Sequence, residues 1–276
     1  MVRSTYQRPS WSNFLIVVST PASMRLFLFA AGLVLSALFF ASSTASAMDF
    51  TFAQPGGDKN ILYMNGEINR GDYEKFRKFL LPNLDEFVAG NRVVMISSNG
   101  GDLIEALKIA RIMRAMYLDI SVPRDGCASS CFFLYLSGIH RTALIEKSLG
   151  IHRAYFDPTY FSGLSPSDAD HNQAELSKIV KQYLEDYSVP GYLIDRMNRT
   201  SSGEIYWLSE LDIEALGDWP PWYEEMLIAK CGYDKTIENR WLSGDKSLTL
   251  TSYSEYSAKV LRCRINKLNP IFRKYV

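Results

Sequence analysis

The stretch from Arg92 to Tyr117 limits the possible folds more than any other. RVVMIS is an apolar, β-branched run; Ser98-Asn99-Gly100-Gly101 breaks it; beyond Asp102, Leu103, Leu107, Ala110, Met113 and Tyr117 recur on one helical face. A strand, a glycine turn and a helix in that order need a partner strand beside the first, and the neighbouring segments supply several. Asn60 to Asn65 (NILYMN) reads as a strand and Asp72 to Phe87 as a helix, with Asp119 to Pro123, Ser130 to Leu136 and Ser148 to His152 as strand, buried helix and strand. Strands alternating with helices predict an α/β fold built on a parallel sheet. Further on, Pro166 to Tyr187 and Tyr192 to Arg199 read as helices, Glu204 to Leu208 as a strand and Glu210 to Ala215 as a helical turn. His140 and Arg141 are expected on a loop, and His171 on the polar face of a helix.

The N-terminus reads differently. Leu26 to Phe40 (LFLFAAGLVLSALFF) is an apolar run preceded by Arg25 and followed by Ala45-Ser46-Ala47, the pattern of a signal peptide with its cleavage site. Fifteen residues fall short of the roughly 20 that a membrane span requires. Residues 1–47 are therefore expected to be a signal peptide, with Met24 as an alternative start, and export to the periplasm or outside the cell follows. Anchoring through residues 26–40 is the alternative, and contact with a membrane is expected only in that case.

Thirty basic and 30 acidic side chains leave no net charge, so no field gathers nucleic acid. Removing residues 1–47 leaves 27 basic and 30 acidic residues, a mildly acidic chain. All four cysteines follow the cleavage site, and an oxidising compartment preserves disulfides. Of three possible pairings, Cys127 with Cys131 across a tight turn and Cys231 with Cys263 across the C-terminal segment is the simplest. A zinc site is the rival, but Cys-x3-Cys lacks a histidine pair at ligand spacing, so neither a metal nor a cofactor is expected. Domain organisation reads as 48–218 for the catalytic-type unit and 219–276 for a C-terminal extension clipped by the second disulfide.

Three pieces carry chemistry. Loops after successive parallel strands gather at one edge, and the Gly100-Gly101 turn there opens a helix whose backbone N–H groups can face an oxyanion. Gly126-Cys127-Ala128-Ser129-Ser130-Cys131 places two serines where a helix starts, a position that commonly serves only as an N-cap. Gly150-Ile151-His152-Arg153 ends a strand on a histidine, a group able to take a serine proton near neutral pH.

VVMISSNGGDLIEALKIARIMRAM, GCASSCFFLYLSGIHR and LGIHRAYF, in that order, resemble the Clp protease/crotonase superfamily, specifically the proteolytic subunit of the Clp protease and exported relatives of similar layout. The resemblance runs from about Ile61 to Gly217. It implies a repeated β-β-α spiral, and an exported, peptidase-like serine hydrolase acting on peptides or amides. By the same resemblance, Ser129 or Ser130 is the nucleophile, with Ser129 the better register, and His152 is the base. Gly100, Gly101 and Ser130 form the oxyanion hole, and Glu204 orients the histidine, with Asp195 and Asp212 as competitors. It implies a possible homo-oligomer. Cys127 and Cys131 depart from the protease pattern and imply a disulfide that rigidifies the serine turn. Two other classes stay open: an acyl-coenzyme A site as in crotonases, and a non-catalytic binding or scaffold module in which Trp219, Trp222 and Tyr223 contact a partner. Arg153 is either a ligand for a substrate carboxylate or simply solvated.

Overall fold

The computed structural model describes residues 47–53, 61–84, 87, 92–143, 147–217 and 219–272. The signal-peptide reading, and the alternative anchor, lie outside the described residues. No helix among the described residues is long and apolar enough to cross a membrane.

Strands β1 (Asp49–Ala53), β2 (Ile61–Asn65), β3 (Val93–Ser97), β4 (Asp119–Val122) and β6 (His140–Ala143) make the main sheet, in the order β1-β2-β3-β4-β6. β1 runs antiparallel to β2, and every other pairing in this sheet is parallel. Alternation dictates the packing: Leu62 and Met64, Val94 and Ile96, and Ile120 and Val122 are buried, while their strand neighbours are half-buried or exposed. The register brings Met64 beside Ile96 and Val94 beside Ile120, so the apolar rows align across the sheet.

Helices α1 (Asp72–Leu80) and α2 (Leu103–Ala115) connect these strands. On α2, Leu103, Ala106, Ala110 and Met113 are buried at helical spacing, and the Asp102 carboxylate caps its N-terminus by accepting from the N–H groups of Ile104 and Glu105. Helix α3 (Cys131–Leu136) is buried at all six positions, which makes it a core element.

A second, smaller sheet carries the candidate site. Its strands are β5 (Cys127–Ala128), β7 (Leu149–Ile151) and β8 (Tyr206–Trp207), with β5 parallel and β8 antiparallel to β7. The two sheets meet at Ser98, which donates its N–H to the Gly126 carbonyl (3.0 Å) and accepts from the Ala128 N–H (2.9 Å). Helices α4 (Pro166–Asp186) and α5 (Gly191–Arg199), then α6 (Glu210–Leu216), complete this part of the chain.

The expectation for His140 and Arg141 is corrected. Both lie in β6, paired with Asp119 and Ile120. Arg141 is buried and donates from Nη2 to the Leu216 carbonyl (2.7 Å), and the His140 ring stacks on Trp219 at 4.5 Å. β1 and β5 were not foreseen, because DFTFA directly follows the residues read as a signal peptide and a two-residue strand has no periodicity.

The C-terminal segment forms α7 (Pro221–Cys231), α8 (Lys235–Leu242) and α9 (Leu250–Phe272). Cys231 and Cys263 are disulfide-bonded, and Ile139, Tyr223, Leu227, Cys231 and Tyr233 make a small apolar cluster of their own. Arg264 on α9 donates to Asp119 of β4 (2.9 Å), with both side chains largely buried. The disulfide closes a loop with a sequence separation of 32, for which chain entropy gives about 3–4 kcal/mol. The Cys231→Ser/Cys263→Ser double variant is expected to lose about that much unfolding free energy, read as a lowered urea midpoint. An unchanged midpoint would mean that the layer adds nothing to the stability of the sheet.

Candidate active site

Sequence locates the serines after a strand and before a helix, and local geometry separates them. Ser129 has φ 58°, in the left-handed region that a non-glycine residue rarely occupies. Such a conformation costs on the order of 1–3 kcal/mol and persists only where the surroundings over-determine it. Here they do: the Ser129 N–H donates to the Gly150 carbonyl (2.9 Å), its own carbonyl accepts from Phe132 (3.0 Å), and the Cys127–Cys131 disulfide brackets the turn. A sharp strand-to-helix turn with a strained serine is the arrangement that lifts a nucleophile clear of its backbone. Ser129 is half-buried, whereas Ser130 is 3% exposed, sits in the right-handed region at the N-cap, and has an Oγ with no partner. Of the two, Ser129 has the more accessible hydroxyl.

The Gly-Gly turn packs directly on that serine. A β-carbon built on Gly100 would stand 2.6 Å from the Ser129 β-carbon and 2.7 Å from the Ala128 carbonyl oxygen, and one on Gly101 would stand 2.0 Å from the Ile68 carbonyl oxygen. Both glycines also have positive φ, 96° and 141°. Only glycine fits either place.

The expected oxyanion donors divide. The Gly100 N–H is already donated to Ser98 Oγ (3.0 Å), a local serine turn that takes this amide out of the open set. Among the described residues the N–H groups of Gly101 and Ser130 donate to no acceptor. The pair at Gly101 and Ser130 is thus the available one, and Gly100 serves by packing.

His152 follows β7. Ala128 pairs with Gly150 in register, so Ser129 and His152 lie one and two residues beyond a matched pair on adjacent strands. The imidazole is 6% exposed, and Nδ1 lies 2.9 Å from the Arg153 carbonyl oxygen. A carbonyl can only accept, so Nδ1 carries the proton and Nε2 holds the lone pair. Nε2 is buried and has no partner. Burial holds the pKa below the ordinary histidine value, the Arg153 charge lowers it further, and the Arg153 carbonyl bond acts the other way. Nε2 and Ser129 Oγ are not hydrogen-bonded to each other in this state, a separation common before substrate is bound.

Glu204 is corrected. It is exposed on the turn before β8, its N–H donates to the Ser201 carbonyl, and His152 Nδ1 is occupied by a backbone group instead. Asp195 is exposed on α5, and Asp212 is engaged by Ser209 and by the phenols of Tyr192 and Tyr206. The partner of Nδ1 is the Arg153 carbonyl, a main-chain oxygen that leaves no residue signature in the sequence. All four cysteines are in disulfides, with the pairing expected, so none is available as a thiolate ligand.

A cleft of about 300 Å³ is lined by Arg153, Tyr155, Phe156, Phe161, Gln173 and the Ser202-Gly203 turn; His152 does not line it, and Tyr155 is the lining side chain that reaches toward the imidazole. The Tyr155 ring is 5.8 Å from that of His152.

No protein-family model matches the chain, and no curated protein does. The chain is similar to several solved structures at low identity. A mutant form of ClpP1 from Listeria monocytogenes is 17% identical over 58% of this chain and 87% of its own, with a TM-score of 0.39. The enoyl-CoA hydratase EchA3 from Mycobacterium ulcerans Agy99 is 10% identical over 83% of this chain and 97% of its own, with a TM-score of 0.35. A methylmalonyl CoA decarboxylase is 8% identical over 84% and 96%, with a TM-score of 0.37.

Gly71 and Gly100 have nearly the same φ, 97° and 96°, but only Gly100 is crowded. Gly71→Ala is expected to cost about 1 kcal/mol from the backbone alone, and Gly100→Ala about 1–3 kcal/mol more from the clash with the serine turn. Urea unfolding of the two variants measures the difference; equal losses would show that the turns are not in contact.

Proposed function

We propose that this chain is an exported serine hydrolase acting on peptide or amide bonds, with Ser129 as nucleophile and His152 as base. The observation that carries the reading is the pairing of a strained, half-buried Ser129 with an imidazole whose Nδ1–H is fixed on the Arg153 carbonyl, which leaves Nε2 as the unpartnered lone pair. In this scheme Nε2 takes the Ser129 Oγ proton as the oxygen attacks the carbonyl carbon, and the N–H groups of Gly101 and Ser130 bind the oxyanion. The imidazolium then protonates the leaving amine, and water, deprotonated by the same Nε2, releases the acyl group. Two disulfides support an oxidising compartment such as the periplasm. Assembly into a homo-oligomer is part of the proposal.

A second reading is a non-catalytic binding module on the same fold. It is favoured by the internal hydrogen bond of the Gly100 N–H and by the lack of a carboxylate on the imidazole among the described residues.

A fluorophosphonate probe with peptide mapping separates the two. Labelling is expected on Ser129, lost in Ser129→Ala, slowed about 10²–10⁴-fold in His152→Ala, and unchanged in Glu204→Gln. No labelling of the folded protein would leave the binding module standing.

The pH dependence carries a sign. Because burial lowers the His152 pKa, the free base persists to lower pH than for an ordinary histidine. The labelling rate is expected to rise to a plateau with a midpoint below the ordinary value of 6.5. A midpoint above 6.5 would mean that a carboxylate supports the imidazolium after all.

A further inference from the structure

The cleft that opens at Arg153, the residue after His152, has a chemistry that the hydrolytic scheme does not use. Arg153 supplies its one charged group, and the lining residues include no carboxylate. Among the described residues the Arg153 side chain makes no ion pair or hydrogen bond, while its main chain is fixed, with the N–H on Thr200 (3.1 Å) and the carbonyl on the imidazole. Facing it is an aromatic wall: Phe156 stacks on Tyr160 at 4.1 Å, and Phe161 meets Phe156 edge-on at 5.9 Å. Gln173 and Ser202 add polar groups at the rim. An exposed guanidinium that makes no ion pair among the described residues, at a cleft lined by aromatic rings, suits a ligand that is anionic at one end and apolar at the other, since guanidinium matches a carboxylate in a planar, two-point contact.

We infer that this cleft is a subsite for a substrate carboxylate carried beside an apolar or aromatic side chain, with Arg153 as its ligand. The inference names the substrate class of the proposed hydrolytic site and rests on that reading for its catalytic meaning. The binding itself does not depend on Ser129. At about 300 Å³ the cleft takes one large side chain with its carboxylate and does not enclose a folded partner. The carboxylate comes either from the C-terminus of a peptide or from an acidic side chain.

The test is fluorescence anisotropy with three dye-labelled peptides on the full chain carrying Ser129→Ala, so that nothing is turned over. The peptides are Ala-Ala-Phe with a free carboxylate, the same peptide as its amide, and Ala-Glu-Phe amide. The free acid is expected to bind at least about tenfold more tightly than the amide, a difference lost in Arg153→Ala and partly recovered in Arg153→Lys. Binding of Ala-Glu-Phe amide as tightly as the free acid assigns the subsite to acidic side chains; weak binding of it assigns the subsite to C-termini. Equal binding of acid and amide, or no effect of Arg153→Ala, overturns the subsite even if the probe labels Ser129. Selective acid binding with no labelling keeps the subsite and removes the hydrolase.

Discussion

Two backbone hydrogen bonds at Ser98 hold the site together. They attach the end of β3 to β5 and so turn two separate sheets into one continuous scaffold. Everything with chemical meaning hangs from that seam: the glycine turn leaves from one side of it, the serine turn from the other, and the Ser98 hydroxyl reaches across to the Gly100 amide. The seam also explains why glycine is required on one flank only. Backbones that close leave no room for a β-carbon at Gly100, because the β-carbon of Ser129 and the Ala128 carbonyl already fill that space. The Cys127–Cys131 disulfide brackets the turn that holds Ser129.

Much of this was legible from residues alone. Apolar alternation located β2, β3 and β4 within a residue or two, and the helical spacing of Leu103, Ala110 and Met113 located α2. The cysteine pairing followed from spacing. The misreadings share a cause, since each depends on long-range contacts that leave no periodic trace. His140 and Arg141 look like polar loop residues, but burying a guanidinium becomes possible when a distant carbonyl, that of Leu216, accepts from it. Glu204 is at a plausible distance along the chain, yet the antiparallel pairing of Ile151 with Tyr206 carries it past the imidazole to a solvent-facing turn.

The C-terminal layer uses charge where the core uses apolar area. Arg92 and Arg264 both approach Asp119 and Tyr223, and burial together with the neighbouring guanidinium lowers Arg92 to about 10. Removing either partner of such a pair leaves the other charge buried and uncompensated, which is why one ion pair can dock a helix without a large apolar face. α9 is accordingly polar along much of its described length. The disulfide from α7 to α9, the contact of Arg264 with β4, the Tyr256 hydroxyl at Asp234 and the stacking of Tyr253 on Trp241 attach it to the rest of the chain.

Replacing a carboxylate by a carbonyl as the orienting group has a physical consequence for the proposed chemistry. Both acceptors fix the same tautomer, because either takes the Nδ1 proton. They differ in charge: a carboxylate lowers the energy of the imidazolium that forms as the serine is deprotonated, while a neutral carbonyl contributes only its dipole. The Arg153 guanidinium opposes that cation further. A base built this way is ready at lower pH and weaker as a proton acceptor, so more of the work of acyl transfer falls on the oxyanion donors and on substrate positioning. An anionic substrate group seated on Arg153 would cancel the opposing charge at the moment the imidazolium forms. By that logic a substrate carboxylate would take the place of the one that His152 lacks among the described residues, and the cleft at Arg153 would contribute to rate as well as to affinity.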